Sequence, residues 1–583
     1  MPVASRLLTV TAALALAALV AVASVWLASP ARAATPVYAD GAGSCAGLTP
    51  CFTTIQEAVD NAGPPPAEVF VFPGTYPESV DLSDMGSDIA GAPGDITLTT
   101  VDASGAPAPG TASVEPASGD AIVNTVSPFP GGITIDGFNV TSPDDSGVDV
   151  DTDTGAVTIT NVTANGSFFE GVDVDTVSGD ITATNVTTND NDDNGLDLGS
   201  DSGDVSVDGA TANGNSFNGV SAESSSGTAN ISGASASNNG DEGIQGNSDV
   251  SVSVSDSFAE GNGDDGIDIE TAGDATVTNS TSNGNSDEGL EIDSEGDVTL
   301  DGVTAIANDD DGADIEEFEE EVQSVSVRNS RLQGNGGAGL DIDKEFHSVA
   351  GSYSLTDSIV CENVDAGLEQ NSAVSTDATG TWWGAGSGPS HPDNAGGSGD
   401  AVIDGNNPLV VEEPGLGTAD FDPWIDTISG SAGAATLGLP TVVTFGFSGG
   451  SGAVALQEGP GDPNGDPVFT ATTDNGAVST SGFVSGGALE VTLTPETAGT
   501  ATVTIEGPCG LDDTLGGNSI TLDVAAAPAE GTPTVTATAT PSDLPDTGGP
   551  PAGGSTVPWL GIAALLAAAA LTGGALAVRR VRR

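Results

Sequence analysis

A glycine followed by alternating apolar and acidic residues recurs through the middle of the chain, and this repeat constrains the fold more than any other feature. The segments are GVDVD at Gly147 and at Gly171, GLDLG at Gly195, GVSAE at Gly219, GIQGN at Gly243, GIDIE at Gly266, GLEID at Gly289, GADIE at Gly312, GLDID at Gly339 and GLEQN at Gly367. Successive glycines lie 24, 24, 24, 24, 23, 23, 23, 27 and 28 residues apart. A second alternating stretch follows within each unit, as in GDITATNV from Gly179, and a third short one ends in a Gly- and Asn-rich turn. Alternation over three to five residues between turn residues predicts strands, not helices. A fixed period with no helix between the strands predicts one coil of a parallel β-solenoid per repeat, whereas a β-propeller needs a period of about 40 residues or more. Val172 and Val174 then lie above Val148 and Val150 and below Leu196 and Leu198, giving one continuous apolar column.

Alternation also dictates what points outward. The residues between the inward pairs are Asp149, Asp173, Asp197, Ser221, Gln245, Asp268, Glu291, Asp314, Asp341 and Glu369. The next outward column reads Asp151, Asp175, Gly199, Glu223, Asn247, Glu270, Asp293, Glu316, Asp343 and Asn371. Stacked coils place neighbours in a column about 4.8 Å apart. Like charges at that distance repel by about 0.9 kcal/mol even at the dielectric of water. Three remedies compete: calcium bridging the carboxylates, a saline medium screening them, or a solvated face with raised pKa values. The metal candidates are therefore the ladder Asp149, Asp173, Asp197, Asp268, Glu291, Asp314, Asp341 and Asp343. A calcium-loop spacing also occurs once, at Asp190, Asp192, Asn194, Gly195 and Asp201, on a repeat turn without flanking helices.

The charge balance excludes whole classes of partner. The 583-residue chain carries 85 acids and nine Lys and Arg, for a net charge of −76. Six of those bases lie near the ends, so residues 34–548 hold all 85 acids against Arg328, Arg331 and Lys344. No basic footprint for nucleic acid exists.

A solenoid needs closed ends. TTIQEAVDNAG is the one good soluble helix, with Thr54 and Glu57 as a capping box and Ile55, Ala58, Val59 and Ala62 on one apolar face. It is expected to cover the first coil. That helix and the EVFVFPGTYPESV stretch after it, together with the GITIDGFNVT coil and the closing TGTWWGAGSGPSHPDNAGGSGDAV, resemble right-handed parallel β-helix proteins of the pectin-lyase-like fold over roughly residues 37–426. Trp382 and Trp383 are expected to plug the last coil, the alternative being exposed rings that stack on sugars.

The expected class is thus all-β: a signal peptide over 1–33, a short segment over 34–52, a β-helix with its helical cap over 53–426, and a sandwich over 427–525. The last rests on ALEVTLTPETAGTATVTIEG, which resembles bacterial Ig-like domains. A Pro- and Thr-rich stalk over 526–543 follows. Export favours disulfides; Cys45 and Cys51 close a short loop and are expected to pair, while Cys361 and Cys509 have no assignable partner from sequence.

The resemblance implies polysaccharide lyases and hydrolases, and each must be sought in the residues. The polygalacturonase set is not found, and only His347 and His391 exist. A pectate-lyase-like reaction needs a base beside calcium; Lys344, next to Asp341 and Asp343, is the weak candidate, ahead of Arg328 and Arg331. The main expectation is a binding, adhesion or structural module contacting extracellular polysaccharide or another cell surface, with the calcium-dependent lyase as the alternative.

The C-terminus has three parts in order: Leu544-Pro545-Asp546-Thr547-Gly548, an uncharged mostly apolar run over 557–578, and Arg579, Arg580, Arg582 and Arg583. The run is long enough to span a bilayer, and the arginines hold its end in the cytoplasm. This resembles the LPxTG-type sorting signal of Gram-positive surface proteins, which implies a sortase-type transpeptidase as partner, cleavage between Thr547 and Gly548, and transfer to the cell wall. A plain tail anchor is the alternative. Mass spectrometry of the mature C-terminus is expected to end at Thr547; a peptide that keeps Gly549 and the apolar run contradicts sorting.

Overall fold

The computed structural model describes residues 36–527 apart from 63–65, 84–94, 125–128, 130, 317–323, 343–350, 407–415, 450–451, 455–468, 485–487 and 512–514. The expected signal peptide, sorting signal and nearly all of the stalk lie outside the described residues, as do Asp343, Lys344 and His347. Among the described residues, no helix is long and apolar enough to cross a membrane.

The repeats form a parallel β-solenoid with three faces. The strand after each glycine, such as Val148–Thr152, Val172–Thr176 and Leu196–Ser200, belongs to a 14-stranded sheet, the first face. Strands such as Val157–Thr160 and Ile181–Thr184 build a 16-stranded second face. Short strands such as Thr211–Asn213 and Ser235–Ser237 make a third face in a seven-stranded and a four-stranded piece. The register is one residue per coil: Val148 pairs with Val172 and Val172 with Leu196. The inward residues are fully buried in one column.

Two local conditions let the chain turn. The corner between the second and third faces needs a positive φ in every coil, and Asn161, Asn185, Gly209, Gly233, Asp256 and Asn279 supply it, at φ 49° to 70°. Gly, Asn and Asp are the residues that reach this region at least cost. The repeat glycine has another reason. A Cβ on Gly195 would lie 2.6 Å from both the Gly219 carbonyl and the Asn215 side-chain nitrogen, so the coils stack there only without one.

That nitrogen belongs to an interior ladder which alternation does not predict. Four residues before each of the eight glycines from Gly195 to Gly367 stands a buried or half-buried asparagine: Asn191, Asn215, Asn239, Asn262, Asn285, Asn308, Asn335 and Asn363. Asn239 Oδ1 accepts from the Asn215 backbone N–H at 3.0 Å and from Asn215 Nδ2 at 3.1 Å. Its own Nδ2 donates to Asn262 Oδ1 at 3.1 Å and to the Ala212 carbonyl at 3.1 Å. Asn363 ends the run by donating from Nδ2 to Asp400 Oδ2 at 3.0 Å. A buried amide is tolerated because every coil hands its unmet donors to the next.

The ends are closed as the helix and tryptophans suggested. The helix Ile55–Asn61 buries Ile55, Ala58 and Val59; Thr54 accepts the Glu57 N–H at 3.1 Å, and the Glu78 carboxylate takes the Ile55 and Gln56 N–H groups at 2.8 and 3.0 Å. Trp382 and Trp383 are both fully buried. Trp383 ends the solenoid core, while Trp382 joins a second core with Phe445, Phe447, Leu489, Val491, Val503 and Ile505. That core lies among a five-stranded and a four-stranded, mostly antiparallel sheet over residues 427–525. A disulfide between Cys361, in the last coils, and Cys509 ties the two cores together.

The ladder yields a stability test. Asn239→Ala strips the acceptor from two buried donors and is expected to cost about 2–5 kcal/mol, whereas Asn230→Ala, on the exposed second face, is expected to fall within about 0.5 kcal/mol. Equal melting midpoints for the two variants contradict the ladder's role.

Candidate functional site

The acidic files follow directly from the register of the first face. Asp149 pairs with Asp173, and Asp173 with Asp197. After Ser221 and Gln245 the file resumes with Asp268, Glu291, Asp314, Asp341 and Glu369, each beside the next. The second file runs Asp151, Asp175, Gly199, Glu223, Asn247, Glu270, Asp293 and Glu316. The structure therefore brings together every ladder candidate except Asp343, which lies outside the described residues.

The interruptions are informative. Gln245 Nε2 donates to Asp268 Oδ2 at 2.9 Å, Asn247 Nδ2 to Glu270 Oε2 at 3.0 Å, and Asn194 Nδ2 to Asp197 Oδ2 at 3.0 Å. Gln245 and Asn247 thus stand where a file carboxylate would otherwise face the next acid, and Asn194 meets Asp197 from the corner of its own coil. Burial and neighbouring carboxylates raise several members of the files. Burial, then Asp197, Asp175, Glu170 and Asp149, push Asp173 up to about 9. Burial, then Asp120 and Asp151, push Asp149 up to about 7. Burial raises Asp268 to about 7 against the Gln245 hydrogen bond, and with Glu291, Glu316 and Glu270 it raises Asp293 to about 6.

A further set of acids, one residue before five of the ten glycines, was not singled out from sequence: Glu170, Glu242, Asp265, Glu288 and Asp311. Burial, then hydrogen bonds to Glu288 and Glu291, push Asp265 up. Two groupings bring carboxylate oxygens within 4.8 Å of one another: Asp287 with Glu288 and Asp310, and Asp311 with Asp314 and Asp341. In the second, Asp311 also accepts the Ala338 N–H, and burial, then Asp310, Glu369 and Asp365, push it up to about 6. Oxygen donors at this density suit a hard cation such as calcium, which takes six to eight of them. The signal for Asp311 was its place next to the glycine, on a corner where alternation no longer says which way a side chain points.

The other candidates are spread apart. Asp190 sits at a positive-φ corner and Asn191 in the interior ladder, so the calcium-loop spacing is a solenoid corner. Arg328 pairs with Asp301 at 2.8 Å on the second face, and Arg331 donates to Gln333 on the third. His391 is buried against Asp404, Nε2 to Oδ1 at 3.0 Å, in the closing segment. Among the described residues, no basic side chain stands on the first face. Cys45 and Cys51 form a disulfide.

The raised carboxyls fix the sign of a pH effect. A carboxyl whose folded pKa exceeds its unfolded value of about 3.9 adds stability that is full below that pH and lost as the pH rises through the folded value. With Asp149 and Asp268 at about 7 and Asp173 at about 9, the window spans about pH 4 to 9. In chelator at constant ionic strength, the melting midpoint is expected to fall from pH 5 to pH 9, and Asp173→Asn to flatten the fall. A midpoint that climbs across this window overturns the assignment.

Residues 194–349 match the family described as right handed beta helix region. No curated protein sequence matches the chain. Among solved structures, the periplasmic alginate epimerase AlgG is similar at 13% identity and a TM-score of 0.30, over 61% of this chain and 75% of that one. Pectate lyase Pel9A is similar at 17% identity and a TM-score of 0.30, over 60% and 80%. The Dettilon tailspike protein gp208 reaches 8% identity and a TM-score of 0.25, over 78% and 86%. The pairing pattern and the family match together make the solenoid a right-handed parallel β-helix.

Proposed function

We propose that this chain is an exported, surface-anchored acidic rod that serves as an adhesion, polysaccharide-binding or structural module and takes up calcium along its first face. The observation that carries the reading is the pair of in-register carboxylate files, whose charge no basic side chain offsets among the described residues of that face. Calcium bound between coils supplies the missing positive charge and ties each coil to its neighbour through the carboxylates of Asp149, Asp173, Asp197, Asp268, Glu291, Asp314 and Asp341, with Asp311 added from the corner. A rod stiffened in this way presents a long surface to extracellular polysaccharide or to another cell. The mostly antiparallel sheets over 427–525 act as an Ig-like spacer, the Pro- and Thr-rich segment as a stalk, and the C-terminal signal as the handle for a sortase-type transpeptidase that joins the chain to the cell wall.

The lyase alternative has less support. Arg328 and Arg331 stand on other faces of the solenoid, so a base beside the carboxylates has to come from Lys344.

Calcium separates the proposal from simple screening. Adding millimolar calcium to the purified full-length chain in weak buffer at pH 7 is expected to release protons, because the raised carboxyls must ionise to bind it. It should also raise the melting midpoint above that in EDTA at equal ionic strength. Should sodium chloride reproduce both effects at matched ionic strength, the files are screened rather than bridged.

A further inference from the structure

Aromatic residues make up 4% of the chain, and most of the large ones are buried. Phe168, Phe169 and Phe217 instead stay 49%, 42% and 46% exposed. They stand on the turn before the repeat glycine, where the third face meets the first. The Phe169 N–H donates to the Asp145 carbonyl at 3.4 Å, and the Asp241 N–H to the Phe217 carbonyl at 3.4 Å. Asp145, Phe169, Asp193, Phe217 and Asp241 therefore occupy one file, each two residues before its own glycine. Two phenylalanines bracket a carboxylate, about 9.6 Å apart across two coil spacings. Phe168 meets Phe169 edge to face, with ring centres 5.1 Å apart.

Solenoid stacking does not call for these rings. Later coils fill the same file with Asp241, Asp264, Asp287 and Asp310. Exposed apolar clusters rimmed by polar groups mark interaction surfaces. The rim here is acidic: Glu170 raises the pKa of Asp193 after burial does, and Asp145 and Asp241 stand next in the file on either side of the two rings. Ring faces attract cations electrostatically within about 6 Å of the ring centre. A carboxylate between two rings supplies the counter-charge.

We propose that Phe168, Phe169 and Phe217, with Asp193 and Glu170, form a docking point for the arginine or lysine side chains of an extended basic segment on a partner protein. The guanidinium group suits it best, being planar, weakly hydrated and able to stack on a ring while pairing with a carboxylate. The edge-to-face pair offers a face and an edge rather than two coplanar platforms, which suits a compact cation better than a row of sugar rings. The acidic rod as a whole draws cationic partners in, and the aromatic edge is where charge and apolar contact coincide. This inference deepens the adhesion reading and rests on it, and it uses the corner that borders the calcium files.

The test is fluorescence anisotropy of a labelled Arg-Gly-Arg-Gly-Arg peptide with the purified full-length chain in about 0.5 M sodium chloride, where attraction between distant exposed charges is largely screened. The unmodified chain is expected to bind, and Phe169→Ala/Phe217→Ala to bind roughly 5- to 30-fold more weakly. Asp193→Asn is expected to weaken binding more than Asp208→Asn, a change on the exposed second face. The rings are exposed, and matching melting curves confirm that the variants fold. Equal affinity for the double variant, or a ring-dependent preference for a glucosamine oligomer over the peptide, overturns the proposal. Peptide binding without a calcium response leaves this inference standing and removes calcium from the rod; the converse removes the docking point alone.

Discussion

Parallel stacking of coils at a spacing of about 4.8 Å is the constraint from which the rest of this molecule follows. Once each coil hydrogen-bonds to the next in one-to-one register, any residue placed in one repeat is placed again directly above itself. Apolar residues become a continuous core and buried amides a continuous ladder, while carboxylates become continuous files of like charge. The Asn191-to-Asn363 ladder and the Asp149-to-Glu369 file are the same geometric event on opposite sides of the backbone. Inside, repetition is favourable because each asparagine both donates and accepts. Outside, repetition is unfavourable because ionised carboxylates only accept.

The chain manages that asymmetry in ways visible residue by residue. Ser221, Gln245, Gly199 and Asn247 interrupt the files near their middle, and the amides among them donate to the next acid. Burial and neighbouring charge push several carboxyls toward neutrality. The corner residues before five of the glycines add further carboxyls beside the first file, and burial with the neighbouring Glu288 and Glu291 pushes Asp265 among them up. The first face is thus a bank of oxygen donors several of which hold their protons above the usual carboxylate range, and this links stability to pH.

Closure of the rod depends on a different kind of contact. Trp382 and Trp383 are adjacent in sequence yet point into two cores, one ending the solenoid and the other beginning the sheets that follow. With the Cys361–Cys509 disulfide nearby, the rod and those sheets are joined by both apolar contact and a covalent link.

Much of this was legible in the order of residues. Strict alternation at a period near 24 determined the strands, their inward and outward sides, the acidic files and even which acids would be neighbours, because a strand's side chains have a period of two and a solenoid repeats its register. Alternation says nothing at corners, where the backbone turns and the period is broken. The asparagine ladder was therefore read only as turn composition, and Asp311 passed unmarked, although an asparagine stands four residues before every repeat glycine from Gly195 onward. The Cys361–Cys509 pairing and the divergent burial of the two tryptophans were decided only in three dimensions, since both depend on which surfaces meet between segments far apart in the chain. Sequence by itself determined the repeating coil and its charge, because those follow from local periodicity. Tertiary structure alone decided how buried amides find partners, how acids from different coils converge, and how the rod is closed, because each of these requires contacts that no local pattern encodes.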